Sequence, residues 1–222
     1  MRAAVVVFPG TNCDRETFEA LKASGLETDY LWHNWTSIDV YDLVVLPGGF
    51  SYGDYLRPGA IARFSPVMNS VEKYVESGRG ILLGICNGFQ ILTEAGLLPG
   101  AFLRNECGHF ICKMVDLEVK AHEVFANVKR LKLYIAHSDG NYVVDEKTVE
   151  LLEDEKRILF KYAENPNGSS HSIAGVANEN FCVFGMMPHP ERSTMPYHES
   201  NDGLKVFSAM RRWINAHTSR KA

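Results

Sequence analysis

The sequence predicts an α/β protein: a mixed, mostly parallel sheet flanked by helices, with a smaller antiparallel, strand-rich part in the second half. Its 222 residues suit one domain spanning 1–222. Three observations lead there. Continuous apolar runs alternate with amphipathic helical stretches through the first half, the mark of parallel β-α units covered on both faces. The loops of unusual composition, "PGTNCD", "PGGFSYGD" and "CNG", all follow such runs, at the carboxyl ends where these sheets bind ligands. From about residue 109 the chain turns to short strand-like segments joined by Asn, Gly, Ser and Asp.

Residues 3–8, "AAVVVF", form the first buried strand; the run is too short for a secretory signal and passes directly into turn and acidic residues. "CDRETFEALKAS" then repeats apolar residues at helical spacing up to Gly25. "YDLVVLPGGFSYGDY", at 41–55, is a second buried strand entering a glycine-rich loop, and "FSPVMNSVEKYVESGRG" is a helix closed by Gly78 or Gly80. "GILLGI" is the next strand. The helix after it packs through Ile91, Leu92 and Ala95, is capped by Gly96 and is stopped by Pro99. "FICKMVDLEV", "KLYIAHSDGNYVV", "RILFKYAENPNG" and "SIAGVANENFCVFGMM" make the second half mostly strands. The last element, "GLKVFSAMRRWINAH", carries Leu204, Phe207, Met210 and Ile214 at helical spacing and packs on the sheet.

Composition narrows the function. A net charge of −4, with no Lys/Arg cluster longer than the terminal "SRKA", argues against a nucleic-acid or anionic-membrane surface. No stretch approaches the length of a membrane span. Cys13, Cys86, Cys107, Cys112 and Cys182 are odd in number and lack paired C-x-x-C spacing, which suits reduced thiols in a cytoplasm and no metal site.

In "GICNGFQIL", 84–92, a strand must stop and a helix must begin within two residues around Cys86. Glycines at 84 and 88 remove the side chains that would clash there. This is a nucleophile elbow with cysteine in place of serine, and it sets the sulfur at a helix N-terminus, where the macrodipole favours a thiolate. Gln90 lies one helical turn on and projects near the same face, where its amide could contact a substrate. A small buried cysteine at a tight turn has the same local pattern, so a partner base must decide.

Of eight histidines, His189 in "MMPHPERS" stands out, because Pro188 and Pro190 hold the chain extended around it. In extended chain, residues two apart share a side, which puts Glu191 beside His189 to orient its imidazole as the acid of a triad does. His137, with Asp139 beside it in "AHSDGNY", is a weaker alternative dyad. A metal held by His189, Glu191, His198 and Glu199 lacks regular ligand spacing.

"LPGGF", "GICNGFQ" and late "PHPE", in that order across nearly the whole chain, resemble the class I, triad-type glutamine amidotransferase family. The resemblance implies glutamine as substrate, with Cys86 as nucleophile, His189 as general base and acid, and Glu191 as its orienting partner. It also implies a γ-glutamyl thioester and ammonia delivered to a synthetase. The oxyanion hole would be the backbone N–H groups of Gly49 and Asn87, and Gln90 matches the elbow glutamine that contacts bound substrate. Backbone donors account for the glycine, since a side chain at 49 could obstruct the substrate carbonyl.

Within the class, "FPGTNCDRE", "PGGFSYGDYLRPGAIARFSPV" and "CNGFQIL" are similar to the glutaminase subunits of phosphoribosylformylglycinamidine synthase, of purine biosynthesis. One departure is "HSDG", 137–140, where those subunits usually have glycine and then glutamate after the histidine.

The chain has no G-x-x-x-x-G-K-[ST] loop with which to activate an acceptor, so the synthetase chemistry must sit elsewhere. The resemblance implies no cofactor in this chain, ATP and Mg on a large synthetase subunit, and a small third subunit in bacteria. Phe50, Tyr52, Tyr55 and Arg57 are candidates either to touch that partner or to pack on their own chain. Three other readings compete: a glutaminase serving a different synthetase, a stand-alone cysteine hydrolase, and a redox module with a structural His189.

Overall fold

The computed structural model describes residues 1–120 and 122–218; the terminal "SRKA" lies outside the described residues. β1 (Arg2–Val7) is buried along almost its whole length and leads through the 8–13 loop into α1 (Asp14–Ala23). β2 (Glu27–Trp32) follows, then β3 (Leu43–Leu46), and then α2 (Pro66–Ser77), which ends on Gly78 in the left-handed region at φ 58°. β4 (Ile81–Ile85) runs into α3 (Asn87–Glu94), with left-handed Gly96 one residue beyond the Ala95 cap. The second half comprises β5 (Ala101–Leu103), β6 (Ile111–Val119), β7 (Arg130–His137), β8 (Asn141–Val143), α4 (Glu146–Asp154), β9 (Ile158–Tyr162), β10 (Ile173–Ala177), β11 (Val183–Met186) and α5 (Gly203–Thr218).

One nine-stranded sheet has the order β2-β1-β3-β4-β11-β10-β9-β6-β7, and β5 pairs with β8 separately. The first five strands are parallel, and every pairing from β11 through to β7 is antiparallel. The strand-rich second half therefore extends the parallel sheet and shares its core, which runs continuously from Val5 and Val45 to Leu133 and Phe160. The chain leaves β1 for β2 on one side and β3 on the other, so the crevice expected at such a switch opens over the 8–13 and 47–55 loops.

Three elements escape the sequence reading, the first of them the short β5, in which no residue is fully buried. β2 is an edge strand in which only Leu31 is fully buried, so it carries no apolar run. α4 interrupts the expected succession of strands; it buries only Val149 and Leu152, and its start is marked by Asp145, whose Oδ1 accepts the Thr148 N–H at 2.8 Å.

Candidate active site

β4 delivers Cys86 to the carboxyl edge of the sheet in a backbone conformation, φ 50° and ψ −105°, that side-chain-bearing residues rarely adopt. Such a residue costs about 1–3 kcal/mol and persists where its surroundings over-determine it. Here they do. A Cβ on Gly88 would stand 1.8 Å from the Leu46 carbonyl oxygen, and one on Gly84 would stand 2.7 Å from the Gly88 backbone. The glycines thus let α3 lie directly on β3 and β4, and that packing holds the turn at Cys86.

β11 runs parallel beside β4 in the register Met186 with Ile85, and the Cys86 N–H donates to the Met186 carbonyl at 2.8 Å. Three residues later comes His189. Its Nδ1 lies 2.6 Å from Glu191 Oε1, and both side chains are buried. The expected pairing is present, but its local basis differs from the extended chain read from the sequence. Residues Pro190–Ser193 form a 3₁₀ turn, for which proline is a suitable first residue, and the turn brings Glu191 back under the ring. Burial disfavours a charged imidazole. The Glu191 carboxylate, then the Cys86 and Cys13 sulfurs, outweigh it and hold the His189 pKa well above its ordinary value. Nε2 makes no hydrogen bond within the protein and is left facing thiols.

Cys13, which sequence reading left in its loop without a role, is the second of those thiols. It is buried at the start of α1, where the 8–13 loop ends, and its Sγ receives a hydrogen bond from Arg192 Nη2 at 3.1 Å. Burial pushes its pKa up, although His189 and Arg192 pull the other way. Atoms of Cys13, His189 and Glu191 that could ligate a metal lie within 4.8 Å of one another, but the Arg192 guanidinium beside the sulfur opposes a cation there. The metal quartet of His189, Glu191, His198 and Glu199 does not assemble: His198 Nδ1 accepts the Thr194 and Met195 N–H groups, and Glu199 accepts the Tyr134 hydroxyl.

Gly48 and Gly49 close the other side. A Cβ on Gly48 would meet His189 Cε1 at 2.7 Å, and one on Gly49, at φ 150°, would meet Thr11 Cα at 2.8 Å. The glycine at 49 is therefore demanded by its contact with the 8–13 loop, in addition to any substrate. Among the described loop and turn bonds, neither the Gly49 nor the Asn87 N–H is used as a donor.

The Asn87 side chain ties three loops together. Its Oδ1 accepts the Ser51 N–H at 3.1 Å, and its Nδ2 donates to Gln90 Oε1 at 3.0 Å and Asp54 Oδ1 at 3.3 Å. Gln90 Nε2 in turn donates to the Asp139 carbonyl at 2.7 Å, so both ends of its amide are already engaged within the protein. Asp54 is half-buried; burial and the Asp139 charge push its pKa up to about 6.

The His137–Asp139 dyad does not form. His137 Nδ1 pairs with Asn105 Oδ1 at 3.0 Å, and burial together with the His189 charge lowers its pKa to about 4. The four loop residues considered for a partner contact divide. Tyr52 hydrogen-bonds His33 and Ser65, and Arg57 grips Glu94 through Nε at 2.5 Å and Nη2 at 2.8 Å. Phe50 and Tyr55 are exposed. No helix among the described residues is long and apolar enough to cross a membrane.

Residues 1–214 match the family described as the CobB/CobQ-like glutamine amidotransferase domain. Among solved structures, a chain of PurLQS from Thermotoga maritima is 43% identical, with a TM-score of 0.87 over 96% of this chain and 98% of that one. A putative GMP synthase subunit from Thermoplasma acidophilum, 17% identical, has a TM-score of 0.69 over 100% and 98% of the two chains. A glutamine amidotransferase from Thermotoga maritima, 18% identical, has a TM-score of 0.55 over 99% and 83%. The last two share the fold.

Proposed function

The chain belongs to the CobB/CobQ-like glutamine amidotransferase family, and from that premise we propose that it is the glutaminase subunit of phosphoribosylformylglycinamidine synthase. It releases ammonia from glutamine for the ATP-dependent conversion of formylglycinamide ribonucleotide to formylglycinamidine ribonucleotide in purine biosynthesis. The observation that carries the reaction class is a strained elbow cysteine, Cys86, beside a buried His189–Glu191 pair. The choice of synthetase rests on the 43% identity, over nearly the full length of both chains, with a chain of PurLQS.

In this reading Cys86 gives its proton to His189 and its Sγ attacks the γ-carboxamide carbon. The oxyanion of the tetrahedral intermediate takes hydrogen bonds from the Gly49 and Asn87 N–H groups, and loss of such a donor costs roughly a hundredfold to a thousandfold in rate. His189, its charge supported by Glu191, passes the proton to the departing nitrogen, so that C–N cleavage leaves a γ-glutamyl thioester and ammonia. Water, deprotonated by the now neutral His189, then hydrolyses the thioester to glutamate. Gln90 assists substrate binding with the hydrogen-bonding capacity that Asn87 and Asp139 leave it.

ATP and Mg act on the large synthetase subunit, and a small third subunit completes the assembly in the cytoplasm. The exposed Phe50 and Tyr55 lie on the loop that follows the oxyanion glycine, which suits them to report partner binding to the site. Residues 1–222 act as one glutaminase domain.

The test is alkylation by diazo-oxo-norleucine, a glutamine-shaped reagent, with and without excess glutamine, followed by mass-spectrometric mapping. A single adduct on Cys86 that glutamine suppresses is the expected result. Labelling elsewhere, or at Cys86 without protection by glutamine in the assembled enzyme, would sink the glutaminase reading in favour of a generic cysteine hydrolase.

A further inference from the structure

Two segments far apart in the chain meet behind the triad. Arg192 leaves the 3₁₀ turn directly after Glu191 and reaches α1, where its Nε donates to Glu16 Oε2 at 2.9 Å and its Nη2 to Cys13 Sγ at 3.1 Å. A cleft of about 590 Å³ opens there, lined among others by Glu16, Glu19, Glu191, Arg192 and His198. The Arg192 side chain is 29% exposed, whereas Glu191 is sealed. The guanidinium thus spans from the open cleft to a buried sulfur that lies within 4.8 Å of the Glu191 carboxylate.

Each anchor has a physical reason. Burial, with the Glu191 charge, holds the Cys13 pKa up against the pull of His189 and Arg192, so Cys13 stays a neutral thiol. A neutral sulfur accepts the guanidinium N–H without cancelling its charge, as a carboxylate in the same place would. The sulfur is itself held, because the Cys13 N–H donates to the Gly48 carbonyl at 3.3 Å and the Cys13 carbonyl accepts the Thr17 hydroxyl at 2.7 Å. Burial opposes the Arg192 charge, but Cys13, Glu16 and Glu191 outweigh it and raise the guanidinium pKa. That charge has work to do beside it. Glu191 spends Oε1 on His189, while its Oε2 is buried and accepts no hydrogen bond. A buried carboxylate oxygen without a donor is costly, and the attraction between Arg192 and Glu191 offsets that cost through space.

We propose that Arg192 is a positioning residue for the triad: pinned by Cys13 and Glu16, its guanidinium balances the free side of the Glu191 carboxylate and bars water in the cleft from the His189–Glu191 hydrogen bond. The role rests on the glutaminase reading and deepens it. No proton or electron pair passes through Arg192 or Cys13; both act by holding Glu191, and through it the imidazole, in place. A charge-assisted pair as close as 2.6 Å draws its strength from dry, low-dielectric surroundings. Water reaching Oε2 would compete for the carboxylate and loosen the ring that must face Cys86.

The experiment reads two quantities. The first is exchange of the His189 Nδ1 proton with water, followed by proton NMR of the full chain; Arg192→Met and Cys13→Ala should each speed it about tenfold or more. The second is glutamine turnover by the chain assembled with its synthetase, where R192M should lower kcat about tenfold while KM changes less than about twofold. C13S, whose oxygen also accepts from the guanidinium, should keep most of the wild-type rate. C13A added to R192M should cost nothing further, because the sulfur acts through the guanidinium. Glu16→Gln changes only the half-exposed outer anchor, leaves the core alone should R192M fold poorly, and should move both readouts the same way by less. Wild-type exchange in R192M and E16Q, a loss of turnover without faster exchange, or losses from C13A and R192M that simply multiply would each overturn the proposal. The exchange measurement needs no turnover, so the two readings fail separately: a wild-type complex that does not hydrolyse glutamine would overturn the glutaminase reading instead.

Discussion

His189 Nδ1 and Glu191 Oε1 lie 2.6 Å apart with each residue 1% exposed, so the site holds a close charge-assisted pair sealed from water. Screening by solvent is minimal there, and the carboxylate counters the cost of placing a cation on a buried ring. Glu191→Gln removes that support. Glutaminase turnover should fall by roughly a hundredfold to ten-thousandfold, the range set by misoriented triad histidines. With burial then unopposed by the carboxylate, the His189 pKa should drop. Titration of the His189 ring by NMR in both proteins reads the shift, and an unmoved pKa would remove Glu191 from its role.

The elbow makes a prediction about stability. Gly88→Ala drives a methyl group into the Leu46 carbonyl, 1.8 Å away, where backbone on both sides must shift. Urea unfolding should show a loss of about 2–4 kcal/mol. A variant of wild-type stability would mean that α3 does not sit as closely on β3 as described.

Asp54 predicts a pH dependence. Its folded pKa of about 6 lies above the ordinary value, so its protonated form is favoured by folding. The stability it contributes is complete below its unfolded pKa and is lost as pH rises through about 6. Discounted for partial exposure, the shift amounts to about 1 kcal/mol. Asp54→Asn should therefore be more stable than the wild type by about that amount at pH 8, with the advantage shrinking towards pH 5. Unfolding curves across that range test it; a constant difference would mean that burial and the Asp139 charge do not raise the Asp54 pKa.

The cysteines should differ in reactivity. Cys107 and Cys112 are exposed, whereas Cys13 is 2% exposed and carries a raised pKa. Iodoacetamide in native buffer should label Cys107 and Cys112 well before Cys13, and Cys13 should become reactive on denaturation. Early labelling of Cys13 would show that the 8–13 loop opens in solution.

The strand, elbow and helix around Cys86, the glycine loops at the strand ends and the "PHPE" segment were legible in the sequence, because each is a local pattern of apolar period, turn residue or proline. Edge strand β2 was not, since a strand exposed on most of its positions carries no apolar run. Nor was the 3₁₀ turn that brings Glu191 to His189, because proline is equally at home in extended chain and at the first position of a turn.

By itself the sequence carried the succession of β1, β3 and β4 with their helices, and it marked Cys86, His189 and Glu191 as the candidate nucleophile, base and orienting acid. Only the tertiary structure decided what surrounds them. Cys13 reaches His189 from the opposite end of the chain, and β7 returns from the edge of the sheet to set Ala136 and His137 against the elbow. Such neighbours are fixed by strand order, register and the way the antiparallel strands extend the parallel ones. These follow from packing the whole core at once, and no run of adjacent residues records them.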